Sequence, residues 1–560
     1  MLAEKASEFR KMNRVLENRF YYLDNFQRVL DWIGERYRDL LIAEEQEFIE
    51  RFGSLPASSR ALLVRMVMRK GDLFRASKLQ YEEIGCTRQG AGPLADAGWI
   101  DDRPLLTLEQ LFGLLRKPEI SQIFGPSLRN KAARKDEQLE ALRDEFSEAR
   151  HFLDWCPHAD DCVYQLKIGS LCDRFRLMFF GNLHQDWTEF VLSDLGIFKY
   201  EKVQFSAASR GFRTRADVDD YLHLHHCRER FQLGEPADEI MKLIPAGVLE
   251  NDWLESRRGR ILFEIAQHYE RTDELRSALD IYSACGHPGS RIRAIRVRER
   301  SDEFQAAFDL ATAAESGPES EAERQQLARI LPRLRRKLGL PKLPSGAPAT
   351  VPRVDLILPV PEADFFVEGV VVDHLAEPHA PVHYVENTLI NSLFGLLCWN
   401  AIFAAVPGAF FHPFHTGPVD LHNADFHRRR QREFDVCLSQ LDTDEYLHTI
   451  NRNFREKAGI QSPFVFWEIL SRALLDLALT CIPASHLKKW FERILLDIQS
   501  NRAGFPDLIQ FWPQEKRYRM IEVKGPGDRL QDNQIRLLDY CMTHEMPVSV
   551  CYVRWSEDCE

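Results

Sequence analysis

Two short stretches, Gly504-Phe505-Pro506-Asp507 and Ile521-Glu522-Val523-Lys524-Gly525-Pro526, decide the fold of the region around them. Asp507 opens a short run of β-forming residues, and a polar turn separates this run from a second one that ends at Lys524. The pattern predicts a β-hairpin. Because residues i and i+2 of a strand share a face, Glu522 and Lys524 are expected to point the same way, with Val523 pointing into the core.

This hairpin has the side chains that a metal-dependent phosphodiesterase needs. Asp507 can lie beside Glu522 on the neighbouring strand, and two carboxylates bind a hard cation such as Mg²⁺ or Mn²⁺ through oxygen. The main-chain carbonyl of Val523 is a candidate for a further ligand. Lys524 can orient a water molecule or neutralise charge that develops on phosphorus. The alternative interpretation is a surface hairpin with ordinary solvated charges.

The hairpin and the residues after it resemble a known nuclease family. The matching residues are Pro506, Asp507, Glu522, Val523, Lys524, the loop 525–530, Gln534 and Val553-Arg554-Trp555. They resemble the VRR-NUC branch of the PD-(D/E)XK nucleases and, within it, the Fanconi-associated nuclease family. The resemblance implies a restriction-endonuclease-like core, catalytic roles for Asp507, Glu522 and Lys524, and a fourth acidic residue on an upstream helix. It also implies a 5′ flap endonuclease and 5′–3′ exonuclease that uses Mg²⁺ or Mn²⁺ in DNA repair, including interstrand crosslink repair.

Glu386 is our candidate for the fourth acidic residue. It precedes an apolar segment in which Leu389 and Leu393 recur at helical spacing, so we expect a helix with Glu386 on its apolar face. A carboxylate on such a face is costly unless something compensates it, and a metal ion would do so. The alternative is a glutamate in the first turn that interacts favourably with the helix N-terminus. The residues alone support both interpretations equally, and the family pattern favours the metal.

The loop after Lys524 contains two glycines and a proline and is expected to turn tightly beside the site. Asp528 is expected to cap a following helix over residues 530–542. Arg529 is a candidate for bidentate contact with a DNA phosphate. Gln534 is either a polar residue that faces the site, as the family implies, or an ordinary surface glutamine. As a residue that faces the site it is a candidate for contact with DNA.

Composition and charge limit the class of protein. A chain of 560 residues predicts roughly three or four domains. The net charge of -12 counts against a general nucleic-acid binder, although basic residues can still cluster on one face. The 12 cysteines follow no disulfide framework, and neither a signal peptide nor a membrane span is evident. We therefore expect no membrane association and reduced thiols. The expected location is cytoplasmic and nucleoid-associated in a bacterium, or nuclear in a eukaryote.

Two modules are expected in the N-terminal part. Residues 1–102 contain amphipathic helices followed by short β-type runs, an order that resembles a winged helix. Residues 103–165 resemble the small SAP-type DNA-binding module of the family, in which Lys131, Arg134 and Lys135 fall at a helix start. Basic residues there oppose the helix dipole, which favours a phosphate partner. The alternative is helical packing with solvated basic side chains.

Residues 166–345 are expected to form a helical, tetratricopeptide-like repeat domain. The segment 271–281 returns in similar form as 300–310, with a small residue, Ala278 and then Ala307, at the same place in each copy. The densest basic region of the chain lies in this domain and contributes the candidate phosphate contacts Arg291, Arg293 and Arg296. The alternative function of such repeats is protein binding, with repair proteins as possible partners.

Taken together, the sequence predicts a multidomain, α-rich protein with helical N-terminal modules and a C-terminal α/β restriction-endonuclease-like nuclease domain. A linker at 338–348, which bears proline and glycine, leads to that domain at residues 355–560. The expected substrate is branched or 5′-flap DNA. A Holliday-type junction resolvase with the same core and a non-catalytic DNA-binding scaffold are the alternatives. The intact set of Asp507, Glu522 and Lys524 argues against the scaffold, and the long N-terminal part argues against a minimal resolvase.

Overall fold

The computed structural model describes residues 18–185, 198–342, 350–359 and 366–556. Residues 343–348 of the expected linker lie outside this described part. The chain divides into two compact units, one formed by residues up to 199 together with 211–218, and the other by 200–210 and the residues from 219 onward. In the described ranges, no helix is both long enough and apolar enough to cross a bilayer.

The first unit is mainly helical. Its α-helices are α1 (Tyr21–Arg36), α2 (Ala43–Ser54), α3 (Ala57–Val67), α4 (Thr87–Asp96), α5 (Leu108–Leu114), α6 (Lys117–Phe124), α7 (Lys135–Leu142), α8 (Phe152–Trp155) and α9 (Gly169–Phe180). Helix α10 (Arg215–Gln232) begins in this unit and continues in the second. In α1, Phe26, Leu30 and Ile33 are buried. A spacing of three and four residues is that of a helix with one apolar face.

Short strands join the two N-terminal modules. They are β1 (Leu73–Arg75), β2 (Ile100–Asp101), β3 (Leu105–Leu106), β4 (Arg150–His151) and β5 (Val163–Leu166). Strand β5 pairs antiparallel with both β1 and β2, and β3 pairs with β4. The SAP-like segment is therefore inserted between two strands of one sheet, and this sheet spans the boundary expected at 102/103.

The second unit begins with the helical repeat. Its helices are α11 (Ala237–Leu243), α12 (Asp252–Arg271), α13 (Leu275–Ala284), α14 (Ser290–Arg300), α15 (Phe304–Ser316) and α16 (Glu321–Lys337). The repeated segments form the same turn twice, because Asp273 and Asp302 both adopt positive φ angles, of 67° and 58°. Ala278 and Ala307, the small residues of the two copies, are fully buried. The internal repeat expected from the sequence is thus confirmed.

The C-terminal part of this unit contains a five-stranded sheet of order β6-β10-β9-β8-β7. The strands are β6 (Arg353–Pro359), β7 (Val382–Tyr384), β8 (Leu508–Trp512), β9 (Arg517–Lys524) and β10 (Val548–Ser556). The expected hairpin is confirmed as the antiparallel pair β8 and β9. Strand β10 runs parallel to β9 and to β6, and it corresponds to the last strand expected from the sequence.

The described residues of this part also form α-helices. They are α17 (Val367–Leu375), α18 (Leu389–Leu397), α19 (Trp399–Ile402), α20 (Gln431–Ser439), α21 (Glu445–Glu456), α22 (Arg472–Cys481), α23 (Ala484–Leu496), α24 (Ile498–Asn501) and α25 (Asp532–Thr543). Every residue of α18 is buried, and it packs in one large apolar cluster with α22, α23 and the hairpin. This packing brings the turn before α18 next to Asp507, since the Val385 N–H donates to the Asp507 carbonyl over 2.8 Å.

Candidate active site

Asp507 and Glu522 face each other across the hairpin. Leu508 pairs with Ile521 in the ladder, which puts the preceding Asp507 opposite Glu522. Asp507 Oδ2 also accepts a hydrogen bond of 2.8 Å from the main-chain N–H of Val523. Asp507 is 6% exposed and Glu522 is fully buried, so two carboxylates share a site with almost no access to bulk water.

Lys524 and Gln534 converge on Glu522. The Lys524 Nζ donates to Glu522 Oε1 over 2.6 Å, and the Gln534 Nε2 donates to the same oxygen over 2.6 Å. Lys524 and Glu522 share a face of β9, and the Val523 side chain between them lies in a small apolar cluster. The side chains of β9 therefore alternate as expected. Gln534 faces the site, which is the first of the two interpretations given for it.

Burial and like charge raise the pKa values of both carboxyl groups. Desolvation raises the pKa of Asp507 to about 6, against the lowering effects of the Val523 N–H and Lys524. Desolvation and the charge of Asp507 raise the pKa of Glu522 to about 7. The charge of Glu386 raises both pKa values further. The single positive charge of Lys524 therefore does not balance the negative charges of these carboxylates.

The chemistry of this group of side chains fits a divalent cation. Glu522 Oε2 is buried without a hydrogen-bond partner among the described residues. A buried carboxylate oxygen of this kind is costly unless a cation compensates it. Within the described ranges, no three His, Cys, Asp or Glu side chains converge as a ready set of metal ligands. A pair of carboxylates completed by waters and substrate oxygens is nevertheless an ordinary way to hold Mg²⁺.

Glu386 lies in a turn, and the expectation that it sits on a helix is wrong. Helix α18 begins only at Leu389, because Asn387 adopts a positive φ of 51° that interrupts helical geometry. The Asn387 side chain holds this turn by accepting from the Phe505 N–H over 2.9 Å. Glu386 itself accepts from the Tyr384 hydroxyl over 2.6 Å and from Asn387 Nδ2 over 3.2 Å. It therefore does not occupy the first turn of α18.

Glu368 is an acidic residue of this site that the sequence analysis missed. It lies in the first turn of α17, and its charge raises the pKa of Asp507. Its signal in the sequence was a lone carboxylate in the apolar run from Phe366 to Val372. Such a residue is costly on an apolar helix unless it faces a polar site. Glu368, unlike Glu386, thus lies on a helix upstream of the hairpin.

The hydrogen bond that holds the loop after Lys524 differs from the one predicted. The Asp528 carboxylate accepts from the Gly525 N–H over 3.0 Å and so closes its own loop, and the expectation that it caps the next helix is wrong. Helix α25 begins at Asp532, and Gln534 Oε1 accepts from the Gln531 N–H at its start. Arg529 is exposed, and no ion pair holds it among the described residues.

The three repeat-domain arginines differ in how far they are neutralised. Arg291 forms a two-pronged ion pair with Glu323, with contacts of 2.9 and 2.5 Å, and Arg293 contacts Glu270 at 3.3 Å. Among the described residues, Arg296 hydrogen-bonds only to the amide oxygen of Gln326, at 3.1 Å. Arg293 and Arg296 line a cavity of about 1250 Å³ between the repeat and C-terminal segments that include residues 421–427 and 495–500. Arg296 is therefore the least neutralised of the three.

The three candidate DNA contacts of the SAP-like segment lie in the first unit. Lys131 and Arg134 are exposed and precede α7 rather than opening it. Lys135 is the first residue of α7, and its Nζ donates to the Leu115 carbonyl over 3.0 Å. Lys131 and Arg134 thus remain available to a phosphate, while the charge of Lys135 is partly engaged within the module.

Comparisons with known proteins agree with this architecture. Residues 20–101 match the family model described as FAN1, HTH domain, residues 105–155 match the Fanconi anemia-associated nuclease SAP domain, and residues 442–555 match the VRR-NUC domain. The chain is 57% identical over 539 residues to the Fanconi-associated nuclease 1 homolog of Pseudomonas aeruginosa, with 96% of each chain covered. It is 23% identical to human Fanconi-associated nuclease 1, covering 95% of this chain and 62% of the human one.

A solved structure extends the likeness to the whole fold. The crystal structure of paFAN1 bound to 2nt 5′flap DNA with gap superposes with a TM-score of 0.90 at 57% identity, covering 96% of this chain and 99% of that one. A second one, with 1nt 5′flap DNA, gives a TM-score of 0.88. Identity at this level over nearly the entire length, together with matches to three domain models, means that this chain belongs to the Fanconi-associated nuclease family.

Proposed function

We propose that this protein is a structure-specific DNA nuclease that hydrolyses phosphodiester bonds near 5′ flaps, as an endonuclease and a 5′–3′ exonuclease, with Mg²⁺ or Mn²⁺ as its cation. The observation that carries the proposal is the buried set of Asp507, Glu522 and Lys524 on one hairpin. The relatives solved with 5′-flap DNA support the choice of substrate. Membership of this nuclease family implies dependence on a divalent metal ion.

Each residue of the site has a distinct proposed role. Asp507, Glu522 and the Val523 carbonyl hold the cation, with Glu386 as a further carboxylate. The bound ion would polarise the phosphoryl oxygen and lower the pKa of a bound water. Lys524, held at 2.6 Å by Glu522, presents a positive charge to the phosphate as negative charge develops on it. Gln534 keeps Glu522 in place through its own hydrogen bond.

DNA binding by an acidic chain needs local basic surfaces. Arg529, exposed beside the site, is proposed to contact a phosphate close to the cleaved bond. Arg296 is proposed to hold a more distant phosphate, with Arg293 as a weaker contributor. Arg291 is proposed to serve mainly as a structural ion pair. Lys131 and Arg134, with Lys135 in support, are proposed to contact duplex DNA from the SAP-like module. Backbone contacts of this kind fix position and give binding its salt dependence.

The wider setting follows from the same proposal. The proposed functional organisation has a winged-helix-like module to 102, a SAP-like module to 165, a repeat domain to 345 and a nuclease domain from 355. DNA repair, including interstrand crosslink repair, is the proposed process, and the bacterial origin of a 57% identical relative supports action at the nucleoid. The exposed faces of the repeat helices are proposed to bind repair proteins.

The proposal is tested with labelled flap, four-way junction and linear duplex substrates, each with Mg²⁺, with Mn²⁺ and with a chelator. We expect cleavage of the flap with either metal, slower cleavage of the junction, and none with the chelator. Preferred cleavage of the junction would support a resolvase instead. Flap binding without cleavage under every metal condition would support a scaffold, although a buried excess of carboxylates has no evident purpose in a scaffold.

A further inference from the structure

Two exposed aromatic rings adjoin the carboxylate site. Phe366 is 59% exposed and Tyr384 is 40% exposed. Their rings meet edge to face, with centroids 5.9 Å apart. Among the large apolar side chains that the described residues expose, these two are the aromatic ones. Exposed aromatic surface is costly, and two rings in contact at one place indicate a binding surface.

Both rings are tied to the candidate active site. The Tyr384 hydroxyl donates to Glu386 over 2.6 Å. On the other side, Val367 follows Phe366 directly in the chain. Its Cγ2 lies 3.4 Å from the position that a Cβ on Gly525 would occupy. The rings therefore border the site both at the turn of Glu386 and at the loop that follows Lys524.

A glycine seats the Phe366 ring. A Cβ on Gly369, one turn into α17, would lie 2.8 Å from the ring's Cζ atom, so the ring rests against the backbone of its own helix. This contact fixes one side of Phe366 while more than half of the side chain remains exposed. A ring held in this way loses little conformational entropy when a flat ligand stacks on it.

We propose that Phe366 and Tyr384, here called the aromatic ledge, stack an unpaired nucleobase next to the phosphate that is cut. The inference rests on the proposed function, because 5′-flap DNA contains unpaired bases. Nucleobases stack on aromatic side chains whatever their sequence, which suits an enzyme that selects a structure. The ledge would fix which phosphate reaches Asp507 and Glu522, so Phe366 is a positioning residue.

The test combines protein variants with abasic substrates. A flap DNA with a single abasic nucleotide, moved in turn through the positions on either side of the cleaved bond, is cut under single-turnover conditions. We expect one position to slow the wild type about tenfold, within the range of base stacking on aromatic side chains. Phe366→Ala should slow cleavage of the intact flap about as much, and the abasic nucleotide should then cost nothing further. Phe366→Trp should restore the sensitivity to the base.

Two controls keep the result specific. Ile357→Ala truncates a side chain that is 70% exposed elsewhere on the same sheet, and it should cut the intact and abasic flaps as the wild type does. The ledge is contradicted if no abasic position slows the wild type, or if the abasic effect persists undiminished in Phe366→Ala. A wild type that fails to cut the intact flap would instead overturn the function on which the ledge depends.

Discussion

At the scale of single residues, Glu522 is the carboxylate of the site whose burial costs the fold the most. Its side chain is fully buried, one oxygen carries two donors and the other carries none among the described residues. Lys524 and Gln534 satisfy the first oxygen, so the second is free to meet a cation. The apolar pattern of the hairpin predicted where this residue points, because the alternation of a strand is local. The sequence did not reveal the unpaired oxygen, because it depends on packing from α25.

Stability without metal should fall as pH rises. Asp507 and Glu522 have pKa values raised to about 6 and about 7 from 3.8 and 4.5, so the folded protein holds protons that the unfolded chain has released. Their contribution is full below about pH 4 and is lost as pH rises through 6 and 7. In a chelator, Glu522→Gln should therefore melt a few degrees higher than the wild type at pH 8. Melting curves should show a much smaller difference at pH 5, and an equal gain at both values would contradict the shifts.

Glu386→Gln separates a ligand from a structural residue. The amide keeps the shape and can still accept from the Tyr384 hydroxyl, so the stability change should stay within about 0.5 kcal/mol. If Glu386 helps to hold the cation, cleavage should fall at least about tenfold and need more Mg²⁺. Full cleavage at the wild-type Mg²⁺ requirement would remove Glu386 from the site. The same substitution at Glu368 shows which of the two carboxylates matters more.

At the scale of elements, local sequence signals were sufficient to predict elements that are joined by short turns. The hairpin and both copies of the repeat were predictable because their turns lie within a few residues. The start of α18 was not, because Asn387 is held in its left-handed conformation by the main chain before Asp507, far along the sequence. Strand β5 likewise completes a sheet whose other strands lie well upstream.

The Asn387 turn can be tested against a matched turn. Asn387 and Asp302 both have positive φ, of 51° and 58°, which costs about 1 kcal/mol or more for a residue such as alanine. Asn387→Ala and Asp302→Ala should therefore both lower the melting temperature. Only Asn387→Ala should also slow cleavage, since it frees Glu386 and the chain leading to Asp507. Equal cleavage by the two variants would show that the turn does not position the site.

At the scale of the whole molecule, the charge pattern was the least predictable feature. The sequence shows a dense arginine segment in a chain of net charge -12. It does not show that Glu323 and Glu270, on other helices, neutralise Arg291 and Arg293. Ion pairs between helices depend on tertiary packing, so the count of basic residues overstated the charge available to DNA. Arg296 is the exception.

Arg296→Glu should weaken flap binding and lower the slope of affinity against salt concentration by about one unit, because fewer counterions are released. Arg291→Gln, which breaks the ion pair with Glu323, should lower the melting temperature and leave the salt slope unchanged. Titrations of labelled flap DNA over a range of salt concentrations measure both. Equal slopes for Arg296→Glu and the wild type would show that bound DNA does not contact this cavity.

The most direct test of the account is flap cleavage and flap binding by Asp507→Asn. The amide keeps an acceptor for the Val523 N–H and removes only the charge that holds the cation. We predict that single-turnover cleavage in Mg²⁺ falls about a thousandfold or more, since a metal ion supplies several kcal/mol of transition-state stabilisation. Flap affinity should stay close to that of the wild type, and the melting temperature should not fall below it. Cleavage near the wild-type rate by this variant would contradict the metal site at the hairpin and the proposed mechanism with it.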